Sequence, residues 1–201
     1  VRADDQGSCQ QNYVLIVTDA NFEGEGSNLG NLDPGDADGD ESSVFDGVVF
    51  AEGAPSGWSS TLADIAMHYY ERDLFTSIDN DVAPLERDID FAPAGTFASA
   101  SMHQHVKTYA VAFGLNSGLV DPPTAYSADA YDWGSRDAVG TAEEQASFRA
   151  KDLYHATVNG RGRYFDAQSP QALSSELTAA FDEFSAGNGA GSAVSFNSQE
   201  L

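Results

Sequence analysis

The 201-residue sequence predicts an α/β fold, a mainly parallel sheet flanked by helices. Three observations carry that prediction. The candidate strands are short apolar runs rich in β-branched residues rather than alternating ones, as in strands buried on both faces. Segments of helical period stand between them. Their order is strand, helix, strand, helix, strand, helix, which packs most simply as helices on both faces of one sheet.

The first strand is NYVLIVTD (12–19), ending on an acid. Residues 20–57 hold no long periodicity and are rich in glycine, aspartate, asparagine and proline, so they read as a long acidic loop. WSSTLADIAMHYYERDLF (58–75) carries Leu62, Ile65, Ala66 and Tyr69 at helical spacing, and is predicted to be an amphipathic helix. The next segment, through Ser101, is turn-rich. KTYAVAFGL (107–115) is a second buried strand closed by glycine.

Residues 119–140 are irregular. Thr141 and Glu144 have capping-box spacing and open a helix running to Val158, with Asn159 and Gly160 as its left-handed stop. GRYFDA is a short strand. Ser169–Pro170 then forms a cap and first-turn pair, and Leu173, Leu177, Ala180, Phe181 and Phe184 stripe a final helix. The tail 185–201 reads as a linker, and residues 1–11 as a lead-in that begins abruptly, as if from within a longer chain.

Charge narrows the partners. Thirty-two acids against nine bases leave a formal charge of -23, with Lys107 and Lys151 as the two lysines. Nucleic acid and anionic membrane surfaces are excluded by repulsion, whereas divalent cations are favoured. No apolar run reaches the roughly 18 residues of a membrane span. The serines, histidines and aspartates form no nucleophile elbow, phosphate loop or dinucleotide fingerprint, so no enzyme is expected; a hydrolase subunit is the weakest reading.

Asp19, at the end of a strand, suits a hard divalent ion such as Mg2+ or Ca2+, or else caps a loop. Asp33, Asp36, Asp38, Asp40 and Glu41 alternate as calcium-loop ligands do, but Glu41 stands where an EF-hand needs its turn glycine, and a solvated acidic loop is favoured. His103 and His105 share one face of an extended segment without a third ligand, so structural hydrogen bonding is favoured over zinc. His68 and His155 read as packing or surface residues. Cys9, the lone cysteine, reads first as a buried thiol and second as half of a disulfide whose partner lies outside this chain. Arg161 and Arg163 in NGRGR read as cations at a helix end rather than as an anion hook.

CQQNYVLIVTDA, TLADIAMHYYERDL, DNDVAP, HQHVKTYAVAFGL and above all DLYHATVNGRGRYFDAQSPQAL resemble, in order, the von Willebrand factor A-like domain of the type IV pilus tip-associated adhesins, the PilY/PilC pilus-assembly family. The resemblance implies a von Willebrand A-like, Rossmann-type domain over 12–184, incomplete within this chain, and a linker leading to a β-propeller. It implies an extracellular protein at the cell surface or pilus tip, exported through the periplasm and outer membrane. Its work would be pilus assembly, adhesion and twitching motility, with pilins, minor pilins and a host or surface receptor as partners. Asp19 matches the late aspartate of the family's metal-ion-dependent adhesion site. The Asp-x-Ser-x-Ser run of that site is missing here, so the rest of the domain or another chain would complete it. The alternative from a different class is an acidic calcium-binding structural module of an extracellular assembly.

So acidic and lysine-poor a chain also suggests a saline setting, where counterions screen self-repulsion. Resistance to unfolding should therefore rise as NaCl is raised from low to high concentration, and a flat or falling profile removes that reading.

Overall fold

A computed structural model describes residues 7–19, 29–32, 61–91, 101–114, 119 and 141–187. The strands are β1 (Asn12–Thr18), β2 (Val106–Phe113) and β3 (Arg161–Ala167); the helices are α1 (Leu62–Glu71), α2 (Glu86–Phe91), α3 (Ala142–Asn159) and α4 (Pro170–Gly187). The strands form one parallel sheet in the order β1-β2-β3. The expected α/β architecture is therefore present, with helices on both faces.

Alternation along β2 divides the core. Ala110 and Ala112 face α3, where they join Leu153, Tyr154, Val158 and Tyr164, with Ile16 and Leu62 packed against them. The small side chains of β2 let the tyrosines of α3 and β3 meet edge to face at 5.3 Å. Lys107 and Tyr109 point to the other face, where the Phe184 ring of α4 packs edge-on to Tyr109 at 4.8 Å and stacks on Tyr13 at 4.5 Å. Both crossovers are right-handed by rule, which puts α1 and α3 together on one face.

The start of α1 is tied down at every free amide. Thr61 Oγ1 accepts from the Asp64 N–H at 3.2 Å, and Asp64 Oδ2 accepts from the Thr61 N–H at 2.8 Å. The Asp152 carboxylate, reaching over from α3, accepts from the Leu62 and Ala63 amides, both at 3.1 Å. Burial pushes the Asp152 carboxyl above the usual range, against those two amide bonds. This polar clamp turns α1: its buried stripe is Ala63, Ala66, Met67 and Tyr70, one residue on from the expected one, and Tyr69 is 46% exposed.

Four further expectations need correction. α2 was not foreseen in the turn-rich segment; it is nucleated by Asp88, whose Oδ2 accepts from the Leu85 N–H at 2.7 Å, half of a capping box. β1 is not buried on both faces, because it is an edge strand among the described residues; Val14 on one face and Val17 on the other are 45% and 50% exposed. The left-handed residue after α3 is Arg161, with φ of 51°, not Asn159 or Gly160. α4 also runs through Gly187, past the boundary expected at residue 184.

The glycines of NGRGR serve close approach. The β2–β3 register shifts between Thr108 and Ala110, so β3 carries an extra residue there. A Cβ on Gly162 would fall on the Thr108 carbonyl, and one on Gly160 would meet the Thr108 side chain and amide. Gly162→Ala should therefore destabilise the fold by about 1–3 kcal/mol, read as a lower denaturant midpoint; an unchanged midpoint would show that the strands can part without cost.

Candidate functional site

Parallel strands and antiparallel helices give the sheet two unlike edges. α1, α3 and α4 all end near the amino edge, where β2 and β3 begin. Helix carboxyl ends carry partial negative charge, so cations are favoured there. Four of the nine basic residues, Arg87, Lys107, Arg161 and Arg163, gather at this edge.

Asp88 is the centre of the cluster. Its Oδ1 accepts from Lys107 Nζ at 2.6 Å and from the Tyr70 hydroxyl at 2.9 Å, while Oδ2 holds the Leu85 amide. Both charged groups are about 1% exposed. Burial pushes the Asp88 carboxyl up, but Lys107 and His105 outweigh it and hold the group ionised, below the usual carboxylate range. Burial pulls the Lys107 ammonium down, and Asp88 opposes that pull. The Tyr70 hydroxyl is pushed well up by burial and by Asp88, so it remains a donor.

Arg161 completes the network from the other side. Its guanidinium sits over the Tyr70 ring at 4.7 Å, and Nη1 donates to the Val158 and Asn159 carbonyls at 3.1 and 2.9 Å. It thereby caps the end of α3 with its own side chain, which explains why a non-glycine residue holds a positive φ there. Arg163 behaves differently. It is half-buried at the rim, against Glu183 of α4 and 3.4 Å from Glu86 of α2.

HQHV works as a hub rather than as a metal site. His103 Nε2 lies 3.1 Å from the Tyr70 carbonyl, and His105 Nδ1 lies 2.8 Å from the His103 carbonyl. Gln104 Nε2 donates to the Ser8 and Asp79 carbonyls at 2.7 and 2.9 Å. Structural hydrogen bonding, the favoured reading, describes these contacts.

The other sequence-derived candidates fall apart in space. Asp19 is exposed at the opposite, carboxyl edge of the sheet. Asp33, Asp36, Asp38, Asp40 and Glu41 lie outside the described residues. Cys9 is exposed in a turn, which overturns the buried-thiol reading: a turn at the surface offers no apolar wall to cover the sulfur. Among the described residues, no three histidine, cysteine or acidic side chains gather as a metal would require. Sequence reading missed Lys107, Asp88, Tyr70 and Tyr13. The available signal was a lysine set against an apolar strand run, in a chain with two lysines.

Among the described residues, a three-stranded parallel α/β unit with a buried Asp88–Lys107 ion pair at its amino edge is the class of protein this geometry defines. Its relatives are specific. The chain is similar to the type IV pilus biogenesis factor PilY1 from three strains of Pseudomonas aeruginosa. Two matches are 30% and 31% identical over 189 residues, covering 88% of this chain, and the third is 28% identical over 181 residues. The chain spans about 15% of the length of each of these relatives. The similarity to the pilus-assembly family read from the sequence is thus present as a partial, distant match. No protein-family profile and no solved structure matches the chain. Among the described residues no helix is long and apolar enough to cross a membrane.

The buried His105 sets a pH response. Burial lowers its pKa from the usual 6.5 to about 4. Between those values the unfolded chain binds a proton that the folded chain refuses, so stability falls as pH drops from 6.5 to 4. The loss is on the order of 3 kcal/mol. Urea unfolding across that window should give a shallower acid limb for His105→Gln than for the unsubstituted chain; parallel limbs would assign the acid response elsewhere.

Proposed function

We propose that this chain is a segment of a cell-surface type IV pilus protein, located at the pilus tip, that promotes pilus assembly, adhesion and twitching motility. The single observation that carries the reading is its similarity to PilY1 over 88% of the chain. In this reading the described sheet is the carboxyl-side part of a von Willebrand A-like domain. Its partners are pilin subunits or minor pilins and a surface receptor, and its work is mechanical rather than enzymatic.

The two sheet edges divide the labour. The amino edge holds the buried Asp88–Lys107 ion pair and Arg161 packed over Tyr70, contacts that suit a piece that must keep its shape under load. The carboxyl edge carries Asp19, exposed and able to offer oxygen to a hard divalent ion completed by ligands from elsewhere. The acidic surface raises the local concentration of such ions.

In the source organism, removing residues 7–187 from the full-length protein should reduce the pili recovered by shearing, and Asp19→Ala should weaken Mg2+ or Ca2+ binding to the full-length protein. Undiminished piliation would overturn the assembly role, and unchanged ion titration would overturn the metal role.

A further inference from the structure

A cavity of about 210 Å³ opens at the amino edge, between the last turn of α4, the start of α2 and the strands β2 and β3. It has room for about seven waters, below the roughly 300 Å³ at which drug-sized ligand sites begin. One side chain or one small organic group fits. Leu85, Tyr109 and Ala186 make apolar walls, and Lys107, Arg161 and Arg163 line it as cations.

Two polar groups, one lining this cavity and one buried beside it, are under-used. The Lys107 ammonium is 1% exposed, yet among the described residues it makes a single hydrogen bond, to Asp88. An ammonium has three donors, and leaving them unmet in a buried place is costly. Tyr13 is the ladder partner of Lys107 on β1 and shares its face. Its hydroxyl is buried without a hydrogen-bond partner among the described residues, beside the cavity-lining Leu85 and Gly187. Burial, helped by Asp88 and Glu183, pushes that hydroxyl up to about 12, so it stays a donor. Both groups call for an acceptor, and their residues are paired on neighbouring strands.

Local charge decides which acceptor. Arg87, Lys107, Arg161 and Arg163 line the cavity against Glu86 and Glu183, with Asp88 and Glu71 buried behind them. Four cations meet four carboxylates, so this spot is neutral in a chain of -23. A monoanion entering here escapes the repulsion it meets over the rest of the surface. A phosphate dianion would unbalance the cavity and leave its apolar walls unused.

The geometry points to a binding site for a single carboxylate on a short apolar arm, with the carboxylate oxygens accepting from Lys107 Nζ and the Tyr13 hydroxyl and the arm against Leu85, Tyr109 and Ala186. A peptide's terminal residue and a small organic acid share that chemistry. Because α4 supplies one wall through Ala186 and Gly187, occupancy would also brace the end of the last helix against α2.

The test is an NMR titration of the 201-residue chain at constant ionic strength with N-acetyl-leucine, isovalerate, N-acetyl-leucinamide and inorganic phosphate, each to about 20 mM. The expected result is saturable shifts of the Lys107, Tyr109, Arg163 and Ala186 amides with the carboxylates alone. Binding of N-acetyl-leucine without isovalerate assigns a peptide terminus, and equal binding of the two assigns a small acid. Tyr13→Phe keeps the ring stack on Phe184 and removes a hydroxyl that has no partner, so it should leave the ligand-free melting temperature unchanged while weakening carboxylate binding about tenfold. Arg163→Gln, at the rim, should weaken it as well. Equal shifts with the amide or with phosphate, no shifts at all, or full affinity in Tyr13→Phe would overturn the assignment.

Discussion

The Asp88 carboxylate is the interaction on which the rest of this structure depends. It joins three separate pieces of chain: Tyr70 at the end of α1, its own helix α2 with the Leu85 amide just before it, and Lys107 at the start of β2. A buried carboxylate is costly to desolvate, and it is tolerated here because both oxygens are occupied and an ammonium stands at 2.6 Å. Such a pair contributes more to specificity of arrangement than to net stability. Slipping β2 by one residue would send Lys107 to the α3 face, among the apolar Leu153, Tyr154, Val158 and Tyr164.

Charge placement follows one rule throughout. The chain has few cations, and four of them lie where three helices end. There they offset the helix dipoles and the buried acids together. Anions are treated in the mirror sense: Asp64 and Asp152 sit at the start of α1, where unpaired amides point outward. The formal charge of -23 favours counterions near the chain.

Much of the fold was legible, and the misses share a cause. The final helix was readable from Ser169–Pro170 and its apolar stripe, because Ser169 Oγ does accept from the Ala172 amide at 3.1 Å and Ala180 is fully buried. β2 was readable from its uninterrupted apolar run. α1 lies within its expected span but ends at Glu71 and is turned by one residue, since apolar spacing cannot register that Asp64 and Glu71 belong inside. α2 was missed because its six residues are too few for periodicity and its capping acid resembles any other in so acidic a chain. Cys9 was expected inside on the general habits of thiols, and a turn put it outside.

By itself, the sequence determined the α/β class, the order of the elements, the kinship to a pilus biogenesis factor and the sign of the surface, because these depend on local periodicity, composition and a distinctive run of residues. Tertiary structure alone decided what NGRGR does. Arg161 turns inward to cap α3 and stack on Tyr70, Arg163 turns outward to the α4 rim, and the glycines admit the Thr108 backbone. Tertiary structure also brought Tyr13 and Lys107 side by side from distant parts of the chain. Burial and partnership are properties of the packed chain, and no local pattern records which charge will be enclosed with which.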